Sequence, residues 1–244
     1  MLKTEVELEY TVASKSKESF PAIILSAGRA TRMNGIDKNF LELCSVPVIA
    51  RTVAAFDKSE RICEIVVVTR GDKTEELRSI LSSYDYRLKI TVTEGGSCRE
   101  ESALRGIEAL GGRYKKTIIH DGARPFVDEG IISRVADALE TNDSVSCGVP
   151  EKSTIKVVNE DWLVVKTLRR DALVSLQTPQ GVAIAPFVRS AAENDLSVFT
   201  DDTSVVEAVG VRTQIVNGSY KNMKITTPED VKLAELYLQD EGEL

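Results

Sequence analysis

A turn near the N-terminus combines small residues with a cluster of cations. The stretch IILSAGRATRMNGIDK, residues 23–38, leaves an apolar run through Ser-Ala-Gly and then places three cations within ten positions: Arg29, Arg32 and Lys38. Small residues let backbone N–H groups approach a phosphate closely, and clustered cations neutralise its charge. The stretch therefore predicts an anion-binding turn, although a plain structural connection is the alternative for this turn taken alone. Neither G-x-G-x-x-G nor G-x-x-x-x-G-K-[ST] is present, which disfavours a Rossmann dinucleotide site and a P-loop.

Two more polar clusters follow apolar runs further along the chain. They are EGGSCREES, residues 94–102, and HDGARPF, residues 120–126. Ligands of an open α/β sheet bind outside the carboxyl ends of its strands, so these clusters and the first turn are expected to meet at one rim. A carboxylate such as Asp121 can hold Mg²⁺ that bridges phosphates. For Asp121 taken alone, a turn or helix-cap role is the alternative.

Strands and helices alternate between these clusters. Apolar runs predict strands over residues 22–25, 64–69, 88–93, 117–120 and 144–149, with a last strand over 213–218. Helical spacing predicts helices over residues 48–56, 73–83, 129–141 and 186–194, one that follows EGGSCREE and runs through Leu110, and a further helix that opens at the TPED segment, 227–230. The alternation predicts an α/β fold with a doubly wound, mostly parallel sheet and helices on both faces.

One segment interrupts the alternation. Residues 151–170, EKSTIKVVNEDWLVVKTLRR, hold two short β runs around Asn-Glu-Asp. They predict a β-hairpin arm that protrudes from the main sheet. Residues 1–20 are charged and polar and are expected to form an N-terminal extension. We therefore expect a single domain over residues 21–240, with the arm at about 151–170.

Composition narrows the classes of function. The 244 residues carry a net charge of −7, so a general polyanion-binding surface is not expected and nucleic acid is disfavoured as a partner. The four cysteines are scattered without a CxxC pair, which fits neither a zinc site nor a disulfide framework. With no apolar run of 18 residues and no apolar signal-peptide core, a soluble, cytoplasmic protein is expected.

Three charged or titratable residues have plain structural alternatives. The only histidine, His120, is expected to be packed and hydrogen-bonded rather than catalytic, because no nucleophile–base partner is evident. For Lys224 and Arg170 taken alone, a solvated surface charge is the alternative to a binding role. The co-occurrence of all these residues is much less expected by chance than any one of them.

Six motifs occur together and in order along the chain. They are SAG-x-x-x-RM…K, GG-x-x-R-x-x-S, HDGARPF, STIK, R-x-x-L-x-x-x-QTPQ and NMKITTPED. Over residues 21–238 the set closely resembles the 2-C-methyl-D-erythritol 4-phosphate cytidylyltransferases. The resemblance implies a fold of the nucleotide-diphospho-sugar transferase type. It also implies an enzyme that joins CTP and methylerythritol phosphate, with Mg²⁺ or another divalent cation, in non-mevalonate isoprenoid synthesis.

Two other functions stay open. The ribitol-5-phosphate cytidylyltransferases share the fold and most of these motifs, so ribitol-5-phosphate or another polyol phosphate is the alternative acceptor. A nucleotide-binding regulatory or scaffolding protein on the same fold is an alternative from another class. A pure sensor, however, would not need the substrate-side residues as well as the triphosphate loop.

The resemblance also implies roles for individual residues. The expected catalytic residues are Arg32, Lys38, Arg170 and Lys224. The expected nucleotide-binding residues are Ser26, Ala27, Gly28, Gly96 and Ser102. The expected substrate-binding residues are Asp121, Arg124, Thr154, Arg170 and Lys224, with Asp121 also near the metal. In the family the arm crosses to a second subunit and lends it a threonine, which Thr154 matches, so a homodimer is implied. CTP and a polyol phosphate are the expected partners, without nucleic acid or membrane.

Overall fold

The computed structural model describes residues 17–28 and 38–240. Its strands are β1 (Phe20–Ser26), β2 (Glu42–Leu43), β3 (Val46–Pro47), β4 (Ile62–Thr69), β5 (Ile90–Glu94), β6 (Lys116–Asp121), β7 (Ser144–Pro150), β8 (Lys156–Val158), β9 (Val164–Thr167), β10 (Val174–Ala183) and β11 (Gln214–Asn217). Its α-helices are α1 (Val48–Lys58), α2 (Thr74–Ser82), α3 (Arg99–Ala109), α4 (Glu129–Thr141), α5 (Ile184–Glu193), α6 (Asp202–Glu207) and α7 (Pro228–Asp240). None of these described helices combines the length and apolar content that crossing a bilayer requires.

Seven of the strands form one central sheet in the order β11-β7-β10-β6-β1-β4-β5. β6, β1, β4 and β5 run parallel to one another, and β11 runs parallel to β7. The prediction of a mostly parallel α/β sheet is confirmed. β1 is buried along its whole length because helices cover both faces of the sheet, which is why its sequence reads as a continuous apolar run.

The two faces of the sheet carry separate hydrophobic cores. Ile24 of β1 belongs to the cluster built with α1, α2 and α4. Its neighbour Ile23 belongs to the cluster built with α3, α5 and α6. Successive side chains of a strand point to opposite faces, so one apolar run supplies both cores. The two cores hold helices against both faces of the sheet, so the loops at the carboxyl ends of the strands have fixed positions.

Strand β10 was not predicted. The expected alternation led from the arm directly to a helix at residues 186–194, whereas β10 lies between β6 and β7 and runs antiparallel to both. The QTPQ segment of β10 does not read as part of a strand, because polar residues and a proline argue against a central strand. The pairing of β10 with β7 shifts register between Leu176 and Gln180, which accommodates that segment.

Helix α7 holds the segment that carries Lys224 against the sheet edge. Ile225 is fully buried, belongs to a third apolar cluster with residues of α7, and donates its backbone N–H to the Ala123 carbonyl at 2.8 Å. The carboxylate of Asp230 accepts from the backbone N–H groups of Thr226 and Thr227, both at 2.8 Å, which caps the helix start. The predicted helix opening at residues 227–230 is confirmed.

The predicted arm forms a two-stranded sheet of its own from β8 and β9. Every residue of these two strands is exposed, and Trp162 at the hairpin tip is 84% exposed. At the other end of the chain, β1 begins at Phe20, one residue before the predicted start of the domain. Residues 1–16 of the expected N-terminal extension lie outside the described residues.

Position 106 of α3 has room only for glycine. A Cβ there would lie 2.4 Å from Cγ2 of Ile23 and 3.1 Å from Cγ2 of Val68. We expect Gly106→Ala to lower the free energy of unfolding by about 1–2 kcal/mol, although alanine is the better helix former. Urea denaturation measures the effect.

Gly130→Ala on the exposed side of α4 is the matched control. A Cβ at Gly130 would meet only Nη1 of Arg134 and the capping oxygen Oδ1 of Asp128, both at 3.1 Å, so this change is expected to cost much less than Gly106→Ala. Equal destabilisation by both substitutions would show that close packing of α3 on the sheet is not the cause.

Candidate active site

A cavity of about 550 Å³ opens at the carboxyl ends of β1, β4, β5 and β6. Parallel strands bring the residues that follow them to one edge of the sheet, as the sequence predicts. Among the described residues, four cations contribute to its wall: Lys38, Arg70, Arg99 and Lys224. Two carboxylates do so as well: Glu94 and Asp121. The wall is therefore locally cationic on a protein whose net charge is negative.

One side of the cavity is narrow and lined by main chain. A Cβ on Gly95 would lie 2.7 Å from Oγ of Ser102 and 2.8 Å from Cβ of Ala27. The Ser102 hydroxyl accepts from the backbone N–H of Gly96 at 3.2 Å and donates to the Cys98 carbonyl at 2.8 Å. The β5–α3 turn is thus pre-formed, and glycine lets its backbone stand close to whatever enters the slot.

Asp121, the last residue of β6, is a buried carboxylate surrounded by cations. Its Oδ2 accepts from Lys224 Nζ at 2.8 Å and from Arg124 Nε at 3.4 Å, while its Oδ1 accepts from Arg99 Nε at 3.2 Å. Burial alone would raise the pKa of Asp121, but the charges of Arg99, Lys224 and Arg124 outweigh it and hold the pKa well below its usual range. The group is a carboxylate at any pH at which the protein works.

Arg99, the first residue of α3, links Asp121 to a second buried acid. Its Nη2 donates to Oδ2 of Asp202 at 2.8 Å, and Asp202 is fully buried at the start of α6. Burial raises the pKa of Asp202, while the charge of Arg99 and its hydrogen bond act in the opposite direction. Burial also disfavours the charge of Arg99, but Asp202 and Asp121 more than compensate and raise its pKa.

His120 supports the site from behind. The Thr178 hydroxyl accepts from the backbone N–H of Asp121 at 3.0 Å, so its own hydrogen is available to Nδ1 of His120, which is also 3.0 Å away. The other ring nitrogen, Nε2, lies 3.2 Å from the carbonyl of Arg124 and donates to it, because a carbonyl can only accept. His120 is therefore neutral, packed and hydrogen-bonded, as predicted.

Comparison with known proteins agrees with this geometry. The family model for 2-C-methyl-D-erythritol 4-phosphate cytidylyltransferase matches residues 20–240. The chain belongs to this family. A curated 2-C-methyl-D-erythritol 4-phosphate cytidylyltransferase from Caldanaerobacter subterraneus subsp. tengcongensis is 39% identical over 223 residues, which cover 89% of this chain and 98% of the relative. One of the same name from Bacillus cereus is 35% identical over 223 residues, covering 90% and 98%.

The fold is shared as well. The crystal structure of 4-diphosphocytidyl-2C-methyl-D-erythritol synthase from Anaerococcus prevotii superposes with a TM-score of 0.80 at 30% identity, and covers 91% of this chain and 97% of that one. The 2-C-methyl-D-erythritol 4-phosphate cytidylyltransferase from Thermus thermophilus superposes with a TM-score of 0.71 at 26% identity.

The cytidylyltransferase fold brings most of the predicted site residues together. Those on the cavity wall are Ala27, Gly28, Lys38, Gly96, Ser102, Asp121 and Lys224. Ser26 lies beneath the wall as the buried last residue of β1. Arg124 packs behind Asp121 and donates to the Asn222 carbonyl at 2.8 Å. Arg32 lies outside the described residues.

Thr154 and Arg170 are not on the cavity wall of their own chain. Both are exposed residues of the arm region, where Arg170 Nη1 donates to the carbonyl of Lys152 at 2.9 Å. Their substrate-binding role therefore stays a prediction that depends on a second subunit.

Sequence reasoning gave no role to Arg70, Arg99, Thr178 or Asp202. Three of these could have been found from the sequence. Arg99 and Thr178 belong to the motifs GG-x-x-R-x-x-S and QTPQ. Arg70 directly follows β4, so the strand-end rule that found the other clusters applies to it equally. Nothing in the local sequence marks Asp202, because its partner is 103 residues away.

The donors at Asp121 do not fit a resident metal ion. Both carboxylate oxygens already accept from cations, and a divalent ion there would face three positive side chains. Within residues 17–28 and 38–240, no group of three or more His, Cys, Asp or Glu is arranged to hold a metal. The expected metal contact of Asp121 thus finds no support in this arrangement of charges.

The buried position of His120 predicts how it titrates. Burial lowers its pKa to about 3, against opposing contributions from the Arg124 hydrogen bond and the Asp121 charge. Because the protein has one histidine, ¹⁵N-detected NMR of the imidazole is unambiguous. We expect a neutral ring with the proton on Nε2 throughout pH 5–8, and a titration near pH 6.5 would contradict the assignment.

The same shift makes stability depend on pH. An unfolded histidine has a pKa of about 6.5, so between pH 6.5 and 3 the unfolded chain binds a proton that the folded one does not. The contribution of His120 is therefore complete above pH 6.5 and is lost as the pH falls, by up to about 1.4 kcal/mol per pH unit. His120→Gln should remove this contribution of His120 to the slope between pH 5 and 6.5.

Proposed function

We propose that this protein transfers the cytidylyl group of CTP to 2-C-methyl-D-erythritol 4-phosphate and releases pyrophosphate, in isoprenoid precursor synthesis. The observation that carries the proposal is a single cavity that joins a glycine-lined slot, a cationic wall and the Asp121–Lys224 pair. Membership of the family supports the same reaction.

The reaction asks for positioning and charge rather than covalent chemistry. A phosphate oxygen of the acceptor attacks the α-phosphorus of CTP in line; the new P–O bond forms as the bond to the β-phosphate bridge breaks. Pyrophosphate leaves with the electron pair. Such transfers gain rate from alignment and from cations that balance the developing charge. Lys38, which lies on the cavity wall, is proposed to serve the triphosphate together with Arg32. Lys224 is proposed to serve the acceptor phosphate.

The nucleotide end of the cavity suits a flat base. A side chain at position 95 would collide with Ala27 and Ser102. Because Gly95 has none, its main-chain groups face the slot. Backbone and hydroxyl groups at Gly96 and Ser102 can recognise the polar edge of cytosine by hydrogen bonds. Ala27 and Gly28, both on the cavity wall, are proposed to offer main-chain groups to the ribose and phosphates, and the space beside Gly28 is open because a Cβ there would meet nothing within 4 Å.

The acceptor end is built around Asp121. A carboxylate that stays ionised accepts hydrogen bonds from the hydroxyl groups of a polyol, and the adjacent Lys224 ammonium can bind its phosphate. In this proposal the acceptor phosphate lies beside the cationic wall, which would also bind the α-phosphate of CTP. Both reacting groups are anionic, so the cations must lower their mutual repulsion before attack.

We further propose that a divalent cation enters as a complex with CTP, held by phosphate oxygens. The three cations around Asp121 disfavour Mg²⁺ binding to the free protein. Calorimetric titration with MgCl₂ should therefore give no binding in the micromolar range without nucleotide, and binding once CTP is present. Micromolar affinity without CTP would show that a resident site exists.

Lys38 is proposed to stabilise charge at the triphosphate. We expect Lys38→Ala to lower kcat at least about 100-fold, the usual cost of removing a charge-stabilising group from a transition state. Lys58→Ala, an exposed lysine at the end of α1, is the control and should keep normal turnover. Near-normal turnover of Lys38→Ala would refute the role.

A homodimer is proposed to complete the acceptor site. The arm exposes large apolar side chains, with Trp162 at 84%, Leu163 at 65% and Val165 at 66%, as surfaces that bind another protein do. We expect Thr154→Ala to raise KM for the acceptor more than KM for CTP. Thr167→Ala on the same hairpin is the control, and equal shifts in both KM values would argue that the arm reaches no substrate.

The identity of the acceptor is tested directly. Pyrophosphate release from CTP and Mg²⁺ is measured in parallel with 2-C-methyl-D-erythritol 4-phosphate and with ribitol-5-phosphate. Release with the methylerythritol phosphate alone is the expected result. Release with ribitol-5-phosphate alone would leave the proposed nucleotide site unchanged but show that the acceptor is a different polyol phosphate. No release with either acceptor would reject the transferase function.

A further inference from the structure

Arg99 holds three acids at once from the edge of the cavity. Its Nε donates to Asp121 at 3.2 Å and its Nη2 to Asp202 at 2.8 Å, while its Nη1 lies 3.7 Å from Glu100. The side chain is a quarter exposed, on the cavity wall. Of the three acids, Asp121 is on that wall and Asp202 lies wholly beneath the surface.

Asp202 is itself rigidly placed. Its backbone N–H donates to Oε1 of Gln180 at 2.9 Å, and Gln180 in turn donates from Nε2 to Oγ of Ser146 at 3.1 Å. Helix α6 packs Val205 and Val206 into the apolar core on this face of the sheet. The carboxylate that grips Arg99 is therefore fixed to the central sheet through β10.

An ion pair buried this deeply contributes little to stability on balance, because removing both charges from water offsets most of their attraction. A purely structural role is the plain alternative. The Arg99–Asp202 pair differs from such a structural pair because the guanidinium of Arg99 also binds Asp121, the carboxylate on the cavity wall. Carboxylates on two of its nitrogens fix the plane of a guanidinium as well as its position.

We propose that Asp202 is a positioning residue for the acceptor site: it anchors Arg99 so that Nε stays on Oδ1 of Asp121, which leaves Oδ2 to Lys224 and Arg124. Without the anchor, the guanidinium follows Asp121 or turns into the cavity, and the Asp121–Lys224 pair loses its fixed geometry. This inference rests on the proposed function, because it takes Asp121 and Lys224 to contact the acceptor.

Steady-state kinetics of three variants test the proposal. Asp202→Ala should raise KM for the acceptor about tenfold while KM for CTP stays within about twofold, a coupling typical of residues in contact. Asp202→Asn keeps an oxygen for Nη2 and should recover most of the loss. Asp201→Asn is the matched control, since asparagine still caps α6 and the residue does not touch Arg99. An unchanged acceptor KM in Asp202→Ala, or equal increases in both KM values, would overturn the proposal.

The Arg99→Met background separates positioning from structure. If Asp202 acts through Arg99, then Asp202→Ala adds no further increase in acceptor KM once Arg99 is Met. A full additional increase would show that Asp202 acts independently, and the proposal would fail. The double variant also removes both buried charges, so it remains testable even if Asp202→Ala alone does not fold.

A readout without activity keeps this inference distinct from the proposed function. The Nε–H resonance of Arg99 in ¹⁵N NMR, assigned with Arg99→Lys, should exchange slowly in the wild type and at least about tenfold faster in Asp202→Ala, while Asp202→Asn stays near the wild type. Equal exchange rates would show that Asp202 does not anchor the guanidinium. Failure of the wild type to release pyrophosphate with any acceptor would reject the proposed function without changing this result.

Discussion

The buried negative charge of Asp121 is the constraint on which the site depends. A carboxylate only 6% exposed is tolerable because Arg99, Lys224 and Arg124 surround it. These cations come from three parts of the chain: the start of α3, the segment before α7 and the turn after β6. One charge therefore ties together three segments that the sheet alone would leave independent. It also keeps a carboxylate ionised on the wall of the cavity.

The polar segment at the centre of the sheet is the support for that charge. Thr178 accepts from the backbone of Asp121 and bonds His120, while Gln180 holds the backbone of Asp202. An apolar β10 would pack more simply, but it could satisfy none of these buried polar groups. Asp121 and Asp202, the two acids that pair with Arg99, thus both donate a backbone N–H to a side chain of β10. The antiparallel strand that interrupts the parallel sheet is where the site is anchored.

Charge is distributed to suit an anionic substrate pair. The protein as a whole carries a net charge of −7, yet four cations meet on the wall of one cavity. Local convergence of this kind binds phosphates without creating a surface that attracts polyanions in general. It also fits a transfer between two phosphates, in which the protein has to align the groups and offset their repulsion. Membership of the 2-C-methyl-D-erythritol 4-phosphate cytidylyltransferase family rests on the match over residues 20–240, and the cavity is consistent with it.

The sequence by itself determined the parallel part of the fold and most of the cavity wall. Continuous apolar runs mark strands buried on both faces, and residues after such strands must meet at one edge, so Ala27, Gly96 and Asp121 could be placed together from their order alone. Only the tertiary structure decided that β10 enters the sheet and that Arg124 turns behind Asp121. The same holds for Asp202, whose contact with Arg99 spans 103 residues. Local patterns report burial and turn chemistry, whereas the pairing of one buried charge with another depends on which distant segments pack together.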